Sequence, residues 1–146
     1  MRESKAGRDF IIFVWNFWTP VEMKKIYHLG TCTTCQRILK ELNPGKDTAL
    51  QDIKTQSLTE EQVDEMARMA GSYEAIFSKI ALKYRAWGLN EKKLTEKDYR
   101  KYILEEYTFL KRPVIISGKQ IFVGNAPKNI ALAKKALWNE FTDLLF

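Results

Sequence analysis

The stretch Lys24-Lys25-Ile26-Tyr27-His28-Leu29-Gly30-Thr31-Cys32-Thr33-Thr34-Cys35-Gln36-Arg37-Ile38-Leu39-Lys40-Glu41-Leu42 changes its hydrophobic period in the middle. Lys24–Leu29 is short and alternating, and Ile26, Tyr27 and Leu29 favour a strand. Gly30 and Thr31 break it. From Thr33 onward the apolar positions Cys35, Ile38, Leu39 and Leu42 recur at i, i+3, i+4 and i+7, which is one face of a helix. Asn43-Pro44-Gly45 stops that helix, and Ala49–Lys54 is a second short strand. Two strands joined through a crossover helix lie parallel.

Further along, Thr59-Glu60-Glu61-Gln62 has the spacing of a capping box, with Val63, Met66, Ala67 and Ala70 forming one face behind it and Gly71 closing it. Tyr73–Trp87 is predicted to be helical at least in part, up to Gly88. Thr95 caps a further helix whose stripe is Tyr99, Ile103, Tyr107 and Leu110. The period then returns to a strand type. Pro113-Val114-Ile115-Ile116, the turn Ser117-Gly118-Lys119 and Gln120–Val123 make a β-hairpin, and Ala126–Phe146 is a last helix with Ile130, Ala133, Leu137, Phe141 and Leu144 on one side. The order is β-α-β, a helical insertion over about residues 59–110, then β-β-α. This predicts an α/β domain over residues 23–146: a thioredoxin-like fold with a four-stranded mixed sheet and a helical insertion.

Residues 1–22 read as a separate N-terminal extension. Their three basic and three acidic residues cancel, so the whole net charge of +6 lies on residues 23–146. Phe10–Trp18 is apolar but for Asn16, and no small-residue cleavage site follows it. An extra strand, or a leader ahead of a start at Met23, is the expectation. No apolar run reaches the ~18 residues of a membrane span, and the charge suits anions or acidic partners without arguing for direct nucleic-acid binding. Two cysteines are too few for a disulfide-rich secreted scaffold.

Cys32-Thr33-Thr34-Cys35 carries the most chemistry. It opens a helix, where unsatisfied N–H groups and the helix dipole favour a thiolate or a bound oxyanion, with Thr33 and Thr34 as the oxyanion-binding residues of that turn. A free thiol with a pKa of ~8.5 is mostly protonated at neutral pH, whereas such positions lower it to about 3.5–7.5. Cys32 is the expected attacker, and Cys35, one turn along, the expected resolving thiol. Two structural cysteines, or half of a metal site completed by other residues, are the competing readings; His28 is the one histidine in the chain. His28, four residues before Cys32, is either an imidazolium that lowers the cysteine pKa or a strand-end histidine facing solvent. Arg112, before the cis-proline candidate Pro113, is either an oxyanion-binding guanidinium or a surface arginine beside Lys111.

Taken together, Ile26-Tyr27-His28 leading to Cys32, Asp52-Ile53-Lys54, Leu58-Thr59-Glu60-Glu61, Gly88-Leu89 and Lys111-Arg112-Pro113-Val114-Ile115-Ile116 with Val123-Gly124 resemble the ArsC/Spx family over about residues 24–140. The resemblance implies a thioredoxin-like fold with a helical insertion. In the arsenate reductases of that family a cysteine matching Cys32 attacks arsenate, a histidine matching His28 assists it, and three arginines hold the oxyanion. Arg112 matches one; Ser78 and Asn125 stand where the other two belong, and Lys79 is an ammonium substitute lacking the planar fork. The implied activity is a cytoplasmic thiol oxidoreductase acting on arsenate or a disulfide. It needs no resident cofactor and is recycled by an external thiol such as glutathione with glutaredoxin, or by thioredoxin. The alternative is an Spx-like redox regulator, in which a Cys32–Cys35 disulfide switches binding to the C-terminal domain of the RNA polymerase α subunit.

Overall fold

The computed structural model describes residues 23–144, with side chains as far as Trp138. The expectation for residues 1–22, and the inward-facing Phe141 and Leu144, lie outside the described residues and side chains. Four strands form one mixed sheet: β1 (Lys24–His28), β2 (Thr48–Asp52), β3 (Val114–Ser117) and β4 (Gln120–Val123). Their spatial order is β2-β1-β3-β4. β1 and β2 are parallel, with Ile26 opposite Leu50 and His28 opposite Asp52. β3 runs antiparallel to both β1 and β4, with Ile26 opposite Ile115.

Alternation along the strands sends side chains to two separate cores. Ile26 and Ile115 meet Ile38 and Leu42 of α1 (Thr33–Leu42) and Ile130, Ala133 and Leu137 of α6 (Pro127–Leu144). Tyr27, Val114 and Ile116 face the other way, into the core of the insertion. The sheet is thus a middle layer with helices on both faces, a thioredoxin-like α/β fold.

The insertion comprises α2 (Glu60–Ala70), α3 (Tyr73–Ile76), α4 (Leu82–Ala86) and α5 (Glu96–Glu105), with 3-10 turns at Leu89–Glu91 and Tyr107–Phe109. α2 begins with the anticipated capping box: Thr59 accepts from the Gln62 N–H, and the Gln62 side chain accepts from the Thr59 N–H. Gly71, at φ +104°, ends it in the left-handed region that a glycine enters freely.

Tyr73–Trp87 is helical in part, as expected: the chain leaves helical geometry at Phe77 and resumes it at Leu82. The cause is tertiary. Phe77 bridges Leu110 in antiparallel fashion, the Ser78 N–H donates to Phe109 O at 2.7 Å, and the Lys111 N–H donates to Ile76 O at 2.9 Å. The Phe77 ring stacks on Phe109 at 5.1 Å and tilts against Tyr99 at 4.8 Å. One expectation needs correction: the stripe Tyr99–Leu110 does not lie on one helix. α5 ends at Glu105, and the Glu106 carboxylate accepts from the Thr108 N–H and hydroxyl, capping a 3-10 turn that carries Leu110 into an extended segment.

Candidate active site

Cys32 is the N-cap of α1, with extended backbone (φ −90°, ψ 117°) and no side-chain cap of its own. Its N–H donates to Leu29 O at 3.0 Å and its carbonyl accepts from Gln36, so the turn between β1 and α1 is closed at both ends. A second tie comes from β2. The Asp52 carboxylate accepts from the N–H of Lys54 at 3.1 Å and from that of Gly30, which holds its pKa below the ordinary value. A side chain at Gly30 would run into that carboxylate, which is why a glycine occupies the approach to the cysteine turn.

The two thiols are unlike. Cys35 is 1% exposed, within the insertion-side core, whereas Cys32 is only half-buried. Burial opposes ionisation of Cys32. Hydrogen bonds from the Cys35 N–H, the Cys35 thiol and the Thr34 N–H, together with the Arg112 charge, outweigh that burial and bring its pKa below the ordinary thiol value. At Cys35 burial dominates and raises the pKa, and the neighbouring Cys32 charge pushes the same way. Ionisation is therefore favoured at Cys32 and disfavoured at Cys35.

Cys32 opens onto a cleft of about 610 Å³. Arg112 lines it as well, half-buried, its Nη1 donating to Thr108 O at 3.5 Å, immediately before a cis peptide bond to the buried Pro113. Thr34, Ser78, Lys79 and Asn125 line the same cleft. So the structure brings together Cys32, Thr34, Arg112 and the two positions where the resemblance implies further arginines. Lys79 is ion-paired to Glu74 at 2.8 Å, and that carboxylate also accepts from the Tyr99 hydroxyl at 3.0 Å. Thr33 is exposed on the first helical turn and does not line the cleft. His28 ends β1 opposite Asp52, on whose carboxylate its charge acts; it too is outside the cleft lining, and its Nδ1 is buried without a hydrogen-bond partner. Among the described residues no group of three or more His, Cys, Asp and Glu side chains converges as a metal site would.

Glu74 and Ile80 also line the cleft and are not anticipated from the sequence. Both come from the segment that breaks at Phe77, and the long-range bridge to Leu110 that places them leaves no local signal.

The ArsC family model matches residues 27–133. The chain belongs to the ArsC family. Solved structures similar to this family member include the arsenate reductase from Vibrio cholerae (20% identity, TM-score 0.62, covering 77% of this chain and 98% of that one). An arsenate reductase related protein from Brucella melitensis is 18% identical, with TM-score 0.59 and coverage of 75% and 92%. A protein from Staphylococcus aureus is 23% identical, with TM-score 0.60 and coverage of 80% and 98%. These likenesses bear out the thioredoxin-like fold. No curated protein matches the sequence.

Proposed function

We propose that this ArsC-family chain is a thiol oxidoreductase in which Cys32 attacks and Cys35 resolves. The supporting observation is the split between the two thiols: Cys32 is lowered and open to the cleft, while Cys35 is raised and buried one helical turn away. The thiolate is the reactive form, and its intrinsic nucleophilicity falls as its pKa falls, so a moderate lowering serves attack near neutral pH. In the first step the Cys32 thiolate displaces one sulfur of a disulfide and forms a mixed disulfide. In the second, Cys35 loses its proton and attacks the Cys32 sulfur. This releases the second substrate thiol and leaves a Cys32–Cys35 disulfide. The dithiol supplies both electrons, and an external thiol, glutathione with glutaredoxin or thioredoxin, returns them. His28 stands as a positioning residue at the end of β1, through Asp52 and the turn it ties.

The composition of the cleft favours a disulfide over arsenate. Beside Arg112 it holds Ser78 and Asn125; of its two lysines, Lys79 is already neutralised by Glu74, and Lys111 has no planar fork. One planar fork is a weak clamp for a small dianion. The test is a coupled assay with dithiol recycling on both arsenate and a small disulfide. Disulfide turnover abolished by Cys32→Ser, with Cys35→Ser accumulating a mixed disulfide detectable by intact mass, is the expected result. Turnover that survives Cys32→Ser overturns the assignment.

A further inference from the structure

Ile80 and Leu82 are 93% and 91% exposed, against 40–51% for the other large exposed apolar residues among those described. Single exposed aliphatics are ordinary on a soluble surface. Two of them, two residues apart and more than nine-tenths bare, at the lip of a reactive cleft, are not. Ile80 lines the cleft that Cys32 opens onto. Leu82 begins α4, a helix with no buried residue, which is anchored by the half-buried Tyr84 against Phe77 at 5.9 Å and, just beyond its end, by Trp87 against Phe109 at 5.3 Å. That anchoring turns Leu82, Lys83 and Arg85 outward. Lys111 and Arg112 line the same cleft.

Resting on the thiol-oxidoreductase reading above, we infer that the Ile80–Leu82 lip docks the chain that carries the disulfide. The substrate class is accordingly a peptidyl cysteine disulfide flanked by apolar and acidic residues. Ile80 shares the cleft with Cys32, within reach of a chain that delivers sulfur there. Apolar side chains cover the two aliphatics, and carboxylates complement Lys111 and Arg112 of the cleft lining and the exposed Arg85, while Lys83 is already paired with Glu106. The chemistry balances as a dithiol–disulfide exchange: Cys32 takes the peptide sulfur and expels the other thiol, and Cys35 then frees the peptide thiol.

The experiment uses the reduced full chain and synthetic peptides whose single cysteine is activated as a 2-thiopyridyl disulfide. The first peptide has Leu and Glu flanks, the second has Ser in place of Leu, and the third has Lys in place of Glu; 2,2′-dipyridyl disulfide is the small probe. The first peptide is expected to release thiopyridone about tenfold faster than the other two, the scale of one apolar side chain covered. Raising the salt concentration should narrow the gap to the Lys peptide. In the variant Leu82→Ser the rates of the Leu and Ser peptides should draw together and the preference for Glu over Lys should persist, while the rate with dipyridyl disulfide stays within about twofold. An unchanged preference for Leu over Ser in that variant overturns the inference. So does a dimer that becomes monomeric in the variant with peptide rates unchanged, which would make the lip a self-association surface. If wild type fails to react with dipyridyl disulfide at Cys32, the underlying oxidoreductase reading falls first, and the two failures are distinct.

Discussion

Cys32 and Cys35 are three positions apart on one helix start, yet one is open to the cleft and the other sealed against the insertion core. Burial acts against the charge of both. Only at Cys32 is it overcome, by hydrogen bonds from the Cys35 N–H and thiol and the Thr34 N–H together with the Arg112 charge. A pH profile of iodoacetamide alkylation on the reduced protein should therefore show its inflection below the ~8.5 of a free thiol. Thiolate population, and with it the alkylation rate, should rise through that inflection as pH increases. Arg112→Gln removes a positive charge and should move the inflection upward; Arg112→Lys keeps the charge and should leave it closer to wild type. An unchanged profile in the glutamine variant would show that Arg112 acts on substrate alone. Cys32 is marked in the sequence by its place between a strand and a helix. Arg112 is marked by the proline after it and by its match to a family arginine, but nothing local ties it to Cys32, which is eighty positions away in the chain.

Elements here are specified by their ends. α2 closes both sides of a capping box at Thr59 and Gln62, and the same Gln62 amide donates to Gln51 Oε1 on β2 at 2.9 Å, with Gln51 returning a bond at 3.2 Å. Gln51 is buried, so this exchange satisfies a polar group that would otherwise be costly inside. Thr59→Ala should lose about 1 kcal/mol, the usual worth of such a cap. In urea it should appear as a lower midpoint with an unchanged slope. A wild-type midpoint would mean that Gln62 holds α2 without the threonine. Capping signals of this kind are local, as is the hydrophobic period that marks the uncapped α1, which is why both helices were readable from spacing alone. The break between α3 and α4 was not, since Tyr73–Trp87 contains no proline or glycine to announce it.

At the scale of the molecule, the insertion and the sheet are joined through Phe77. Its ring is 1% exposed and sits among Tyr84, Tyr99 and Phe109, and its backbone bridges Leu110 two residues before Arg112. Phe77→Ala should cost about 3–5 kcal/mol, a large part of the ~5–15 kcal/mol that holds a domain of this size together. It should also slow the reaction of Cys32 with disulfides, because the wall carrying Ser78 and Ile80 loses its support. Chemical denaturation and dipyridyl disulfide kinetics on the same sample check both halves. Stability lost with Cys32 reactivity intact would show that the site is independent of the insertion. No helix among the described residues is long and apolar enough to cross a membrane.

The sequence by itself determined the strand–turn–helix at Lys24–Leu42, the capped start of α2 and the hairpin. Each is written within one or two turns of chain, where hydrophobic period, caps and glycines act on near neighbours. Only the tertiary structure decided that β3 lies beside β1, that the chain bends at Phe77, and that Glu74, Ser78 and Ile80 stand with Arg112 around Cys32. These depend on contacts between residues far apart in the chain. Burying the aromatic cluster and pairing the Phe77 and Leu110 backbones there outweighs the local preference to remain helical, and that competition leaves no periodic trace in the sequence.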